Sequence, residues 1–236
     1  MRAPLLVSWL SICGLVTGCA SAVGETAIPA PPLVPFRTPV VMFVGDSFVV
    51  GSGPVDTWDA YPAETARALG WQLITAGGRG AGFVAKGKVD RTFGQSFTRE
   101  LSWRPEPDLV VLAGGHNDRK QASKVRAAAI RLVHRVKARW PKARVVLVGP
   151  IWLKKPPKAA VKVRNAVAKA AWLTGVPFAD PLTQKWTKGD LLPDGTHPTL
   201  TGHRRLAQWL VAILRSRGMA PEGLGPRPLQ GPYQGP

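Results

Sequence analysis

Thiols and acids are the two scarcities of this 236-residue chain: it holds two cysteines, and 14 Asp and Glu against 32 Lys and Arg. Two thiols cannot build a disulfide framework, and they cannot by themselves ligate a structural metal. The acid shortage is also local. No Asp or Glu stands between Asp118 and Asp180, while residues 119–169 carry sixteen of the basic side chains toward a net charge of +18. Long apolar runs are missing as well: Leu5–Val16 is too short to span a bilayer comfortably. Against these absences, 45% hydrophobic and 19% charged residues describe a chain able to bury one sizeable core. No internal repeat is present.

The ends differ from the middle. Arg2 and the apolar stretch after it, closed by small residues, form a secretory signal over residues 1–18. Val16-Thr17-Gly18-Cys19 resembles the bacterial lipobox, in which cleavage precedes a cysteine that carries lipid; the resemblance implies lipidation of Cys19 and anchoring at the outer face of the bacterial cell membrane. Cys13 leaves with the signal, so the mature chain has no intramolecular disulfide. Residues 19–38 read as a Pro-rich tether and 218–236 as a disordered Pro/Gly-rich tail, because neither buries enough surface to offset its ordering entropy. Residues 39–217 remain as the folded domain. In a cytosolic protein the basic region would suggest nucleic acid. Behind an export signal it points instead to anionic headgroups or acidic polymers, where it would reinforce a single lipid anchor, or to a merely solvated face; no nucleic acid is expected.

Five apolar runs read as strands: Val40–Val44, Gln72–Thr75, Leu109–Ala113, Val145–Val148 and Pro177–Ala179. All but the second are nearly continuous in apolar character, as in strands buried on both faces. Helical patterns lie over Asp59–Leu69, Gln121–Trp140, Ala159–Leu173 and after Thr199. This alternation predicts an α/β fold, a parallel sheet of about five strands with helices on both faces, and such sheets keep their chemistry in the loops past the strand carboxyl ends.

Polar residues gather at those ends. Gly45-Asp46-Ser47 closes the first run, a glycine-rich stretch from Gly77 to Gly82 follows the second, and Gly115-His116-Asn117-Asp118 follows the third. A fourth group, Asp194-Gly195-Thr196-His197-Pro198, precedes the last helix. Pro and Gly hold His197 on a turn outside that helix, within reach of Asp194. A carboxylate on one imidazole nitrogen fixes the tautomer and frees the other nitrogen to take a proton. Ser47 offers a hydroxyl for that base to activate. The backbone N–H groups of Ser47 and Gly80, with the Asn117 amide, offer uncharged donors for an oxyanion; Gly78 is a rival to Gly80.

Gly45–Ser47, Gly80, Gly115–Asp118 and Asp194–His197 resemble, in order, the four blocks of the SGNH hydrolases (the GDSL esterase/lipase superfamily). The resemblance runs from about Val40 to Leu214. It implies a three-layer α/β/α sandwich with a flavodoxin-like sheet, hydrolysing carboxylic esters without metal or cofactor. It further implies Ser47 as nucleophile, His197 as base, Asp194 as its partner, and Ser47, Gly80 and Asn117 as the oxyanion hole. Phe48 stands where that family has leucine, and Thr75 where it often has asparagine.

Other motifs fail. Gly82 to Lys88 spells GxxxxGK, but Val89 stands where a phosphate loop needs Ser or Thr, and Phe83 breaks a dinucleotide fingerprint. His116, His134 and His203 read as a loop, a helix-face and a first-turn residue rather than as metal ligands. The eight tryptophans of the mature chain read mostly as core or interface residues; Trp152 and Trp186, which follow strand ends, are the two that could stack on a sugar or acyl chain. The expected function is a lipid-anchored extracytoplasmic serine esterase acting on small acyl groups such as acetyl esters of envelope carbohydrate, or on lysophospholipid-like esters. An acyltransferase using the same site and a non-catalytic envelope-binding lipoprotein are the alternatives.

Overall fold

Successive residues of each apolar run leave the sheet on opposite sides, and this alternation sets the layers. The computed structural model describes residues 37–221. The signal stretch, Cys19, nearly all of the Pro-rich segment and the tail from residue 222 lie outside the described residues. Strands β1 (Val40–Gly45), β2 (Gln72–Gly77), β3 (Leu109–Ala113), β4 (Arg144–Val148) and β5 (Phe178–Ala179) form one all-parallel sheet in the order β2-β1-β3-β4-β5. The helices are α1 (Ser47–Val50), α2 (Tyr61–Leu69), α3 (Phe93–Ser96), α4 (Ala122–Arg139), α5 (Lys158–Thr174) and α6 (Leu200–Ser216). α3 runs directly into a π-helical turn over Phe97–Leu101.

On one side of the sheet Met42, Val44, Val110, Leu112, Val145 and Leu147 pack against Phe93, Phe97 and the apolar stripes of α4 and α5, among them Leu132, Val136, Val163 and Val167. On the other, Val41, Phe43, Leu109, Val111, Val146 and Val148 meet Tyr61 and Ala66 of α2 and Leu206, Leu210 and Leu214 of α6. Each fully buried aliphatic side chain of this kind contributes roughly 1.5–3 kcal/mol. The expected α/β fold with both sheet faces covered is therefore the observed one. Among the described residues no helix is long and apolar enough to cross a membrane.

Three details depart from the sequence pattern. α1 and α3 are single turns, too short to carry a helical period. α2 starts at Tyr61, after a 3₁₀ turn over Thr57–Asp59, and Pro62 occupies its first turn, where a missing N–H costs nothing. Residues 218–221, assigned from composition to the tail, are tied down: Arg144 donates to the Gly218 carbonyl, Trp71 Nε1 donates to that of Pro221, and Met219 and Ala220 pack on the second core.

The topology has one consequence for function. From β1 the chain passes to β2 on one side, then returns to β3 on the other, so Gly45 is paired with both Gly77 and Ala113. This is the switch point of the sheet, where the loops after three strands diverge and leave a crevice.

Candidate active site

Ser47 is delivered by the abrupt end of β1. Asp46 caps α1, its Oδ1 accepting the Phe48 N–H at 3.0 Å, and the cap turns the chain so that Ser47 opens the helix at the sheet rim. The Ser47 hydroxyl donates to His197 Nε2 at 3.0 Å, across 150 residues of sequence. On the far side of the ring His197 Nδ1–H donates to Asp194 Oδ2 at 2.6 Å. An ionised carboxylate only accepts, so this bond fixes the tautomer and leaves the Nε2 lone pair facing the hydroxyl.

The turn that holds the imidazole is pinned at both ends. Leu192 N–H donates to the His197 carbonyl at 2.8 Å, and Leu191 bridges Pro198 in antiparallel fashion. Thr199 then caps α6, its hydroxyl accepting the Gly202 N–H. Beneath the turn, buried Asp190 accepts from Thr187 and from Arg205, anchoring the loop on α6. Asp194 Oδ1 takes the N–H groups of Thr196 and His197 at 2.9 and 3.0 Å. Partial burial raises the Asp194 pKa, but the His197 ring and these two N–H donors outweigh it and hold the carboxyl down at about 2.

Gly80, Asn117, Ser47, Asp194 and His197 line one open cleft of about 390 Å³. The two glycine candidates differ in what their N–H groups already do. That of Gly78 donates to the Gly45 carbonyl at 3.1 Å, whereas those of Gly80 and Ser47 have no backbone acceptor among the described residues. Gly80 sits at φ +79°, a left-handed conformation that a side chain would strain. Asn117 donates one amide hydrogen to the Ala81 carbonyl at 2.8 Å, which leaves its second for the cleft.

Asp118, the last residue of that motif, is fully buried and faces away from the cleft. Its carboxylate accepts three consecutive backbone N–H groups: Phe83 on Oδ2 at 2.8 Å, then Val84 and Ala85 on Oδ1 at 2.9 and 2.8 Å. Burial pushes its pKa up against the downward pull of those donors. A Cβ on Gly82 would stand 2.5 Å from the carboxylate oxygens, so only glycine lets the loop close on Asp118. The glycine-rich loop is thus hung from the end of β3.

Several features were not legible in the sequence. His116 lines the cleft, stacked on Trp152 with ring centroids 4.1 Å apart, and its Nδ1–H donates to the Ile151 carbonyl at 3.1 Å. Burial, together with the positive charges of Arg119 and Lys154 and coupling to the His197 ring, lowers its pKa to about 4 despite the Ile151 bond. Phe48 packs against both His116 and His197. His203, in the first turns of α6, is buried and accepts the Tyr61 N–H at 3.0 Å. Neither Trp152 nor Trp186 lines the cleft: Trp152 is spent on the His116 stack, and Trp186 packs on the second core cluster. Asp46 has its Oδ2 buried without a partner; burial is the main cause that raises its pKa to about 7, with the Asp118 charge adding to it. Among the described residues no group of three His, Cys, Asp or Glu could hold a metal ion.

The arrangement is therefore a hydroxyl, a base aimed at it, a carboxylate orienting the base, and uncharged donors free on the opposite side of one crevice. That set can attack a carbonyl, hold the resulting oxyanion and return a proton to a leaving group.

The family model for GDSL-like lipases and acylhydrolases matches residues 43–205. No curated protein matches the chain by sequence. Among solved structures, a family two carbohydrate esterase from Clostridium thermocellum in complex with cellohexaose is similar in fold (TM-score 0.63, 18% identity, 77% of this chain and 65% of that one). So is a carbohydrate esterase family 2 enzyme with a carbohydrate binding domain from Corynascus thermopiles (Myceliophthora fergusii), with TM-score 0.64 and 21% identity over 80% of this chain and 69% of that one. A lipase/acylhydrolase from Enterococcus faecalis, at TM-score 0.62 and 17% identity, is covered over 97% of its length by 76% of this chain. With the family model spanning most of the folded core and a serine bonded to a histidine at the switch point, the chain belongs to the GDSL-like lipase/acylhydrolase family and is a carboxylic ester hydrolase.

Proposed function

We propose that the enzyme is an exported serine esterase, held by lipid on Cys19 at the outer face of the bacterial cell membrane, that removes small acyl groups, acetyl foremost, from envelope carbohydrate. The observation that carries the reading is the unbroken relay from Ser47 through His197 to Asp194, opening on the same cleft as the unspent N–H groups of Ser47 and Gly80 and the Asn117 amide. Ser47 Oγ attacks the ester carbonyl while His197 Nε2 takes its proton. The carbonyl oxygen becomes an oxyanion held by the Ser47 and Gly80 N–H groups and the Asn117 amide. Collapse expels the alcohol, which receives the proton from His197, and leaves an acyl-enzyme on Ser47. Water, deprotonated by the same imidazole, repeats the cycle and releases the acid.

The acyl preference follows from the lining. Among the described residues no large aliphatic side chain lines the cleft, so a long acyl chain finds no apolar wall there to lie along. The carbohydrate component is supported by the fold relatives that are themselves carbohydrate esterases. The basic residues of α4 and α5 suit adhesion to an anionic surface beside the lipid.

Purified domain should hydrolyse 4-nitrophenyl acetate faster than its long-chain analogues, and Ser47→Ala should lower turnover by about four orders of magnitude or more without unfolding the protein. Undiminished turnover in that variant would remove Ser47 from the reaction. Product formed only when an alcohol acceptor is added would make the enzyme an acyltransferase. Cys19→Ala should release the protein from the membrane fraction, and retention there would discard the anchor.

A further inference from the structure

Three cations line the catalytic cleft, and none has a carboxylate partner among the described residues. Arg79 and Lys88 come from the glycine-rich loop after β2, and Arg119 from the turn after β3. The same loop neutralises its other cations: Lys86 pairs with Asp90 at 3.3 Å, and Arg91 with Glu100 at 3.1 Å. The two left over are those that face the site. The single carboxylate of the lining, Asp194, is already committed to His197 and two backbone N–H groups.

Two of the three cations are held in place by bonds that leave their outer nitrogens unspent. Arg79 Nε donates to the Gly51 carbonyl at 3.0 Å. Arg119 Nε donates to the His116 carbonyl at 3.1 Å, and its guanidinium carbon lies 5.0 Å from the centre of the Trp152 ring. A guanidinium fixed through Nε presents its two terminal nitrogens as a ready fork for carboxylate or phosphate oxygens. Among the described residues the Lys88 side chain makes no bond; its backbone N–H donates to the Arg79 carbonyl at 2.9 Å. A fourth cation, Lys154, stands beside the cleft, its Nζ 3.4 Å from where a Cβ on Gly195 would lie. Its charge and that of Arg119 both act on His116.

A cleft that fixes guanidinium groups, leaves them unneutralised and places them around a reacting carbonyl repels cations and gains little from a neutral ligand. We infer that the substrate is an anionic ester, one that carries a carboxylate or phosphate within a few bonds of the scissile carbonyl, with Arg79, Lys88 and Arg119 as its counter-charges. The inference rests on the Ser47 acyl-enzyme reading and narrows it: among envelope carbohydrates it selects acylated acidic polymers over acylated neutral ones.

Each cation some 5–8 Å from the anion, in a cleft between water and protein in dielectric, raises kcat/KM about three- to tenfold at low ionic strength, and salt removes most of that gain. Three aryl acetates make the probe: 4-nitrophenyl acetate, its ring-carboxylate analogue and its ring-trimethylammonium analogue, each rate divided by that ester's own hydroxide-catalysed rate. The carboxylate ester is expected to exceed the neutral one by about tenfold or more at ~20 mM salt and the cationic ester to fall below it, with the spread collapsing by ~0.5 M. Lys88→Glu should cut the carboxylate-to-neutral ratio about tenfold or more while its melting temperature holds, since the side chain bonds nothing. Equal normalised rates for the three esters at low salt, or a preference that salt does not touch, overturns the anionic assignment and leaves the acyl-enzyme standing. Turnover of all three that survives Ser47→Ala overturns both.

Discussion

Asp118→Asn is the substitution that tests the frame of the site most directly. The wild-type carboxylate holds three successive N–H groups of the glycine-rich loop, all removed from water. An asparagine keeps one carbonyl oxygen, enough for the Val84 and Ala85 N–H groups, but sets its NH₂ against the Phe83 N–H, donor facing donor. Two bonds lose their charge assistance, about 0.5–1.5 kcal/mol each, and one buried N–H goes unsatisfied, about 1–3 kcal/mol, for a total of roughly 2–6 kcal/mol. In a domain of this size, where each kcal/mol moves the melting temperature by about 2–4 °C, that lowers it by about 4–24 °C. The chemistry should suffer beyond the stability loss, because Gly80 rides on the same loop; a displacement of its N–H by up to about 1 Å costs roughly 10- to 100-fold in kcat with little change in KM. Thermal melts and steady-state kinetics on a neutral aryl acetate measure both. A variant that melts within about 2 °C of wild type and keeps its kcat would mean that the carboxyl works as a neutral acid, whose amide isostere fits equally well, and the charged-tether account would be wrong.

Three further outcomes follow from the same geometry. Asn117→Ala should lower kcat by about two to three orders of magnitude, the usual loss for one oxyanion donor, and an unchanged rate would take Asn117 out of the site. Gly80→Ala places a Cβ 3.1 Å from Gly87 Cα at φ +79° and should lower both activity and stability; wild-type kinetics would return the oxyanion role to Gly78. The buried Asp46 gives a pH signature. Its folded pKa of about 7 lies above the unfolded value of 3.8, so between those values the folded state binds more protons, and its contribution is complete below about pH 4 and lost as pH rises to 7. His116 and His203, lowered from 6.5 to about 4, act oppositely, adding stability that is lost as pH falls from 6.5 toward 4. The readout is therefore a difference: urea midpoints for Asp46→Asn should gain on wild type between pH 4 and 7, and parallel curves would show that Asp46 titrates normally.

β1, β3 and β4 were readable because burial on both faces writes an apolar run that needs no partner to be recognised; two-residue β5 was visible too, while edge strand β2, mostly half-buried, lacked that continuous pattern. The catalytic constellation was readable for a related reason, since parallel strands bring every loop after a carboxyl end to one edge, and Ser47, Gly80, Asn117 and His197 each sit in such a loop. What escaped depended on partners far along the chain. Asp118 reads as one more polar residue in a turn until its bonds to Phe83, Val84 and Ala85, 33 to 35 residues earlier, are seen. His116 and Trp152 each look like isolated loop residues, and only the adjacency of β3 and β4 stacks them, so that Trp152 backs the cleft instead of facing a ligand. α1 and α3 escaped for want of length, being single turns held by the Asp46 cap and the Thr92–Gln95 capping box.

The loop clasp at Asp118 has an evolutionary implication. It grips main-chain amides, which are common to every residue but proline, so exposed side chains such as Lys86 and Lys88 are free to drift while the loop stays put; Gly87 between them is not, since a Cβ there would stand 2.3 Å from the Ala81 nitrogen. Descendants of one ancestor could then change which molecules they accept by rewriting a handful of codons here, with no need to rebuild the chemistry each time. A library randomised at these positions on an otherwise fixed background would be the natural starting point for redirecting this scaffold.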